Sequence, residues 1–130
     1  MLKKIMVAYD EHLGAVKALD LAIEIAKSVG GEIYIVSAYM TIDNPSRHAF
    51  LETLQAEAAE RVLREGITVY TKLQAGGKVL GETLVRNAED LLVDLVVIGT
   101  HNRGAIGKIM FGSVSDYVVR NVKCPVLIVK

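Results

Sequence analysis

The chain has 130 residues, a length that suits one domain spanning residues 1–130 and leaves no room for separate catalytic and regulatory modules. Fifteen Lys and Arg balance fifteen Asp and Glu, which disfavours general nucleic-acid binding, while 52% hydrophobic residues exclude a disordered chain. The single cysteine, Cys124, excludes an intramolecular disulfide and a multi-cysteine zinc site, and no apolar run approaches the roughly 20 residues of a membrane span, so the expected setting is the cytoplasm with no membrane partner.

The first apolar run, residues 5–8, reads as a strand that ends on Asp10 and Glu11. Helical spacing follows, with Ala15, Leu19, Ala22, Ile23 and Ala26 on one face and Gly30-Gly31 as a left-handed stop. A second strand at 33–38 leads into an irregular stretch at 41–48. The next helix carries Phe50, Leu54, Ala58 and Val62 opposite Glu52, Glu60 and Arg61, and ends at Gly66. The third strand is expected at 67–73, and the third helix, from about residue 79 to 92, carries Leu80, Leu84, Ala88 and Leu91. A fourth strand at 95–98 opens into a second irregular stretch at 100–112. The fourth helix begins near Ser113 with Val114, Tyr117 and Val118, and Pro125 precedes a last strand at 126–129. The runs are mostly continuous rather than alternating, as in strands covered on both faces, so the βαβαβαβαβ order predicts a five-stranded parallel α/β sheet with helices on both faces. Ligands of such sheets bind outside the carboxyl ends of the strands.

The segment from Gly99 to Ser113 holds four of the eleven glycines. It reads equally as a phosphate cradle ending on a helix N-terminus and as a glycine-rich surface loop with Ser113 as an ordinary N-cap. Asp10 likewise suits a ligand contact or a cap of the following helix. A Walker A loop fails at its first glycine and last hydroxyl, no G-x-G-x-x-G follows the first strand, and a phospho-acceptor domain would need an Asp where Leu73-Gln74 stands. His101 reads as a loop histidine, His12 and His48 as exposed residues at helix starts, and Cys124 as a small buried hydrophobe. No metal cluster, triad or catalytic carboxylate pair can be assembled, so no catalytic or metal-binding residue is assigned.

The opening KKIMVAYD, the block VLGETLVRNAEDLLVDLVVIGTH and the closing FGSVSDYVVRNVKCPVLIVK resemble, in order, the landmarks of the universal stress protein family over nearly the whole chain. The family's nucleotide-binding pattern, G-x2-G-x9-G-[ST], falls on Gly99, Asn102, Gly112 and Ser113, with Asn102 in place of the second glycine. The resemblance implies strand order 3-2-1-4-5 in an adenine-nucleotide α-hydrolase-like fold. It further implies ATP, together with Mg²⁺, with Asp10 against the ribose and Ala38 and Ile98 near the base. Gly99, Asn102, Arg103, Gly112, Ser113 and Val114 would then surround the phosphates. Asn visits the left-handed region readily, so the turn at Asn102 can persist, but its side chain occupies space beside a phosphate. Arg103 and Lys108 are either phosphate counter-charges or solvated loop cations. The final strand leaves an unpaired edge, and the resemblance implies that residues 126–129 close it as a two-fold antiparallel homodimer. The function so implied is an ATP-binding regulator of the stress response, with at most slow ATP hydrolysis and a protein partner that the residues do not name. The alternative is a nucleotide-independent dimeric interaction module of the same family.

Overall fold

The computed structural model describes residues 2–43, 45–100, 102–103, 109–110 and 112–130, with 102–103 and 109–110 described by backbone alone. In chain order the elements are β1 (Lys4–Ala8), α1 (Leu13–Val29), β2 (Glu32–Met40), α2 (Pro45–Arg64), β3 (Val69–Gly76), α3 (Leu80–Leu91) and β4 (Leu95–Gly99). Then come β5 (Asn102–Arg103), β6 (Ile109–Met110), α4 (Ser113–Asn121) and β7 (Val126–Val129). Five strands form one parallel sheet in the order β3-β2-β1-β4-β7, which is the expected 3-2-1-4-5 when the sheet strands alone are counted. β5 and β6 make a separate antiparallel ribbon, pairing Asn102 with Met110 and Arg103 with Ile109, inside a stretch expected to be irregular.

The central strand explains the continuous apolar runs. Ile5, Met6 and Val7 of β1 are buried on both faces, and burying each such side chain contributes about 1.5–3 kcal/mol. On one side Ile5, Val7, Ile33, Ile35, Leu95 and Val97 meet Leu19 and Ala22 of α1 and Ala58 and Val62 of α2. On the other side Met6, Val36, Val96 and Ile98 meet Leu84 of α3 and Val118 of α4. The expected apolar face of α1 is buried throughout, and Gly30 takes the left-handed C-cap with φ of 70°. Cys124 is half-buried, and burial raises its thiol pKa above the usual range.

Two boundaries differ from the sequence expectation. α2 begins at Pro45, so residues 45–48 are helical rather than irregular; proline's fixed φ suits the first position of a helix, where no backbone donor is needed. β3 runs over Val69–Gly76, with Ile67 buried just ahead of it, because its pairing with β2 extends from Val69 as far as Gly76 opposite Met40.

At the β2–β3 edge the Tyr34 hydroxyl donates to Glu32 Oε1 at 2.6 Å, and the ring stacks on Tyr70 with centroids 5.0 Å apart. That hydrogen bond, aided by burial, pushes the Tyr34 phenol up to about 12. Because the folded-state value is raised, the bond's contribution to stability is complete below the ordinary phenol value of about 10 and disappears as pH climbs through about 12. Ultraviolet titration of the five tyrosines is expected to show a late ionisation near pH 12 that Tyr34→Phe removes. Persistence of that step in the variant would assign it elsewhere.

Candidate functional site

A cavity of about 250 Å³ opens at the carboxyl ends of β1, β2 and β4, where the winding of the sheet reverses between β1 and β4. Its wall draws Asp10 from the β1–α1 turn, Ala38 from β2, Ile98 and Gly99 from β4, and Val114 and Ser115 from the start of α4. Leu80 and Leu84 of α3 complete an apolar side, and Arg47 of α2 stands on the polar one.

A hydrogen-bond network centred on buried Gln55 holds the backbone of Tyr9, the residue before Asp10. The Tyr9 amide donates to the Val36 carbonyl at 3.0 Å, and the Ser37 hydroxyl donates to the Tyr9 carbonyl at 2.7 Å. Gln55, buried on α2, donates through Nε2 to Ser37 Oγ at 2.9 Å and to the Lys72 carbonyl at 2.8 Å. One side chain thus links α2 to β2 and β3, and through Ser37 to the end of β1. Asp10 Oδ1 accepts the His12 amide at 2.9 Å and lies 3.1 Å from His12 Nδ1. The carboxylate therefore closes a turn ahead of α1 and does not cap the helix, whose N-cap is His12 with no side-chain cap bond.

Glycine is needed where the two halves of the cleft meet. A Cβ on Gly14 would run into the Thr100 carbonyl, and a Cβ on Gly99 would run into the carbonyl of Gly14, so the first turn of α1 lies directly on the end of β4. That contact brings Asp10 and the β4 exit together although about ninety residues separate them. Across the opening, Arg47 grips Glu11 with a bidentate pair of hydrogen bonds of 2.8 and 3.0 Å. The Arg47 hydrogen bond holds the Glu11 carboxyl below its usual range, and the same bond raises Arg47. Asp10, Glu11 and His12 offer donor atoms within 4.8 Å of one another, but Asp10 serves the turn and Glu11 serves Arg47, so the trio carries no metal assignment.

The N-cap of α4 is Gly112, with extended φ and ψ of −73° and 166°, and Ser113 is the first helical residue rather than the cap. The first intrahelical bond joins the Asp116 amide to the Gly112 carbonyl at 3.0 Å. The amides of Ser113, Val114 and Ser115 thus have no acceptor within the helix, which leaves the partial positive charge of the dipole at the cavity. Asp116 does not neutralise that end, since its carboxylate holds Arg120 at 2.9 and 3.1 Å.

Of the residues expected around a ligand, Asp10, Ala38, Ile98, Gly99 and Val114 share the cavity wall, while Gly112 and Ser113 flank it at the helix start. Asn102 and Arg103 are placed by backbone in β5, and His101 and Lys108 lie outside the described residues. Sequence reasoning missed Arg47, which sits in a polar segment that looks like loop, and Ser115, whose Ser-x-Ser spacing from Ser113 was a readable signal. His48 is less free than expected, its Nδ1 lying 2.8 Å from the Tyr39 hydroxyl. Among the described residues, no helix is long and apolar enough to cross a membrane.

A family model described as the universal stress protein family matches residues 1–130. A universal stress protein of Thermus aquaticus is 31% identical over 137 residues, with 100% of each chain covered. Among solved structures, a universal stress protein of Archaeoglobus fulgidus superimposes with a TM-score of 0.88 at 26% identity, covering 100% of both chains. Another universal stress protein, solved in complex with cAMP, is 26% identical with a TM-score of 0.77, covering 98% of this chain and 96% of that one.

Proposed function

The chain belongs to the universal stress protein family, and from that premise we propose that it is a nucleotide-responsive regulator that binds ATP, accompanied by Mg²⁺, in the cavity at the β1–β4 junction. The observation that carries this reading is the convergence of Asp10, Ala38, Ile98, Gly99 and the first turn of α4 on one wall. An apolar slot of Ala38, Val36, Ile98 and Leu84 suits an adenine ring, Asp10 suits a ribose hydroxyl, and the first-turn amides of α4, which have no acceptor within the helix, suit phosphate. The similar protein solved with cAMP supports an adenine nucleotide as the ligand class. The regulator works as a cytoplasmic homodimer joined through β7, where all four residues are partly exposed along a free sheet edge, and it acts on a protein partner. Any ATP hydrolysis is slow.

Mass spectrometry of the purified protein, native and then denatured, is expected to release an adenine nucleotide. Calorimetry with millimolar Mg-ATP tests the residues. Ser113→Ala is expected to weaken binding about tenfold through loss of one hydrogen bond to a charged group, and Gly112→Val to weaken it further because a branched side chain covers the amides. Asn102→Gly is expected to tighten ATP more than adenosine. A specific observation favours a second reading, a nucleotide-independent dimeric module: Asn102 occupies a position where the nucleotide-binding pattern has glycine. Absence of ATP binding by both the wild type and Asn102→Gly would establish that second reading in place of the first.

A further inference from the structure

Among the described residues, Arg47 is the one guanidinium on the cavity wall, and both of its terminal nitrogens engage Glu11. Nη1 donates to Oε2 at 2.8 Å and Nη2 to Oε1 at 3.0 Å. This parallel fork is the geometry by which an arginine otherwise takes a phosphate. The Glu11 carboxylate, brought from the β1–α1 turn, holds the place that such a phosphate would take. Asp10 stands beside it on the same turn, so two carboxylates and one guanidinium leave this end of the cleft with one net negative charge. Asp43, in the turn after β2, adds longer-range attraction for Arg47 and a further negative charge. The first turn of α4 has the opposite sign. We propose that Glu11 is a specificity-determining residue: by holding the Arg47 fork and keeping its end of the cleft negative, it rejects adenine nucleotides that carry a phosphate on a secondary ribose hydroxyl.

The proposal rests on the nucleotide reading given above, which seats the ribose against Asp10 and so brings its 2′ and 3′ oxygens to the Arg47–Glu11 end of the wall. An arginine free to bind beside a ribose is the means by which a dinucleotide site accepts a ribose phosphate. Arg47 is not free in that sense. A ribose with both hydroxyls unmodified brings donors to this end, which suit carboxylates. A phosphate in the same place meets the charge of Asp10 and Glu11, and reaches the guanidinium only by displacing a carboxylate that already makes two hydrogen bonds to it. The side chains of Arg47 and Glu11 are exposed by 32% and 39%, so solvent screens their field only in part. Discrimination of this kind works by penalising the wrong ligand rather than by adding contacts to the right one.

Calorimetry with AMP, adenosine 3′,5′-bisphosphate and adenosine 2′,5′-bisphosphate reads the effect as a ratio of affinities within each protein, so a general weakening of the site cancels. The wild type is expected to prefer AMP to either bisphosphate. Glu11→Gln keeps the size of the side chain, removes its charge and releases the Arg47 fork, so the preference should narrow about tenfold. Arg47→Met removes the cation and leaves both carboxylates, so the preference should widen by about the same factor. The two variants must therefore move in opposite directions. Any other pattern overturns the proposal, and an unchanged ratio in Glu11→Gln would assign the selectivity to shape, since glutamine fills the same space. A wild type that binds AMP and the bisphosphates alike overturns it too. Loss of AMP binding by either variant does the same, because the pair would then serve the bound nucleotide instead of excluding a wrong one. Failure of the wild type to bind either AMP or ATP refutes the nucleotide reading itself, an outcome visible before any variant is made.

Discussion

Gly99→Ala is expected to destabilise the protein by about 3 kcal/mol and to abolish binding in the cleft, and Gly14→Ala is expected to do the same from the opposite side of the contact. Each added Cβ would strike a backbone carbonyl of the other segment, Gly14 in the first case and Thr100 in the second. Neither obstacle is the tip of a flexible side chain. The Thr100 amide donates to the Val129 carbonyl at 3.0 Å, which anchors the end of β4 to β7, and Gly14 belongs to the first turn of a 17-residue helix. Relief therefore requires α1 to retreat from β4, which pulls Asp10 away from Gly99. Gly30→Ala and Gly66→Ala are suitable controls. They have open space around the new Cβ but positive φ values of 70° and 76°, so they should lose only about 1 kcal/mol and leave the cleft intact. Urea unfolding with calorimetry in parallel would measure both effects. A Gly99→Ala protein as stable as wild type would disprove the close approach.

The second large effect is expected at the other end of the sheet. Ile128→Pro should convert a dimer of twice the 14.1 kDa chain mass into a monomer without dismantling the sheet, as light scattering would read directly. The register decides which residue to change. Because the Val96 amide donates to the Pro125 carbonyl, and the Thr100 amide to the Val129 carbonyl, residues 125, 127 and 129 direct their backbone groups toward β4. Val126 and Ile128 consequently present theirs to the free edge. A proline at Leu127 would remove a bond within the sheet, whereas a proline at Ile128 removes an outward donor on which a partner strand depends. A wild type that is monomeric at micromolar concentration, or an Ile128→Pro variant that stays dimeric, would rule out pairing through β7.

The sheet was legible because its signal is dense. β1, β2 and β4 are each covered on both faces, so Ile5–Val7, Ile33–Val36 and Leu95–Ile98 read as unbroken apolar runs. The start of α2 was not, since Ser46, Arg47 and His48 are polar and leave no apolar periodicity; only Pro45 hinted at a first helical position. Part of the site followed from the same arithmetic, because strand ends mark a cleft. Arg47 escaped because it enters from a neighbouring helix and is held by Glu11, a pairing between segments 36 residues apart that no local pattern encodes.

The Gln55 network divides the cavity mechanically. On one side α2, β3, β2 and the end of β1 are laced by buried and half-buried hydrogen bonds, where competition from solvent is weakened and displacement of one member strains the others. On the other side Val114 and Ser115 ride on the first turn of α4, a nine-residue helix held mainly by apolar contact with α3, where Tyr117 lies so close to Gly81 that an added Cβ would come within 2.6 Å of the Tyr117 Cβ. Such contacts slide where hydrogen bonds resist. The cleft thus has two unlike walls: the Asp10 side is held by directional hydrogen bonds, and the α4 side, among the described residues, by side-chain packing alone.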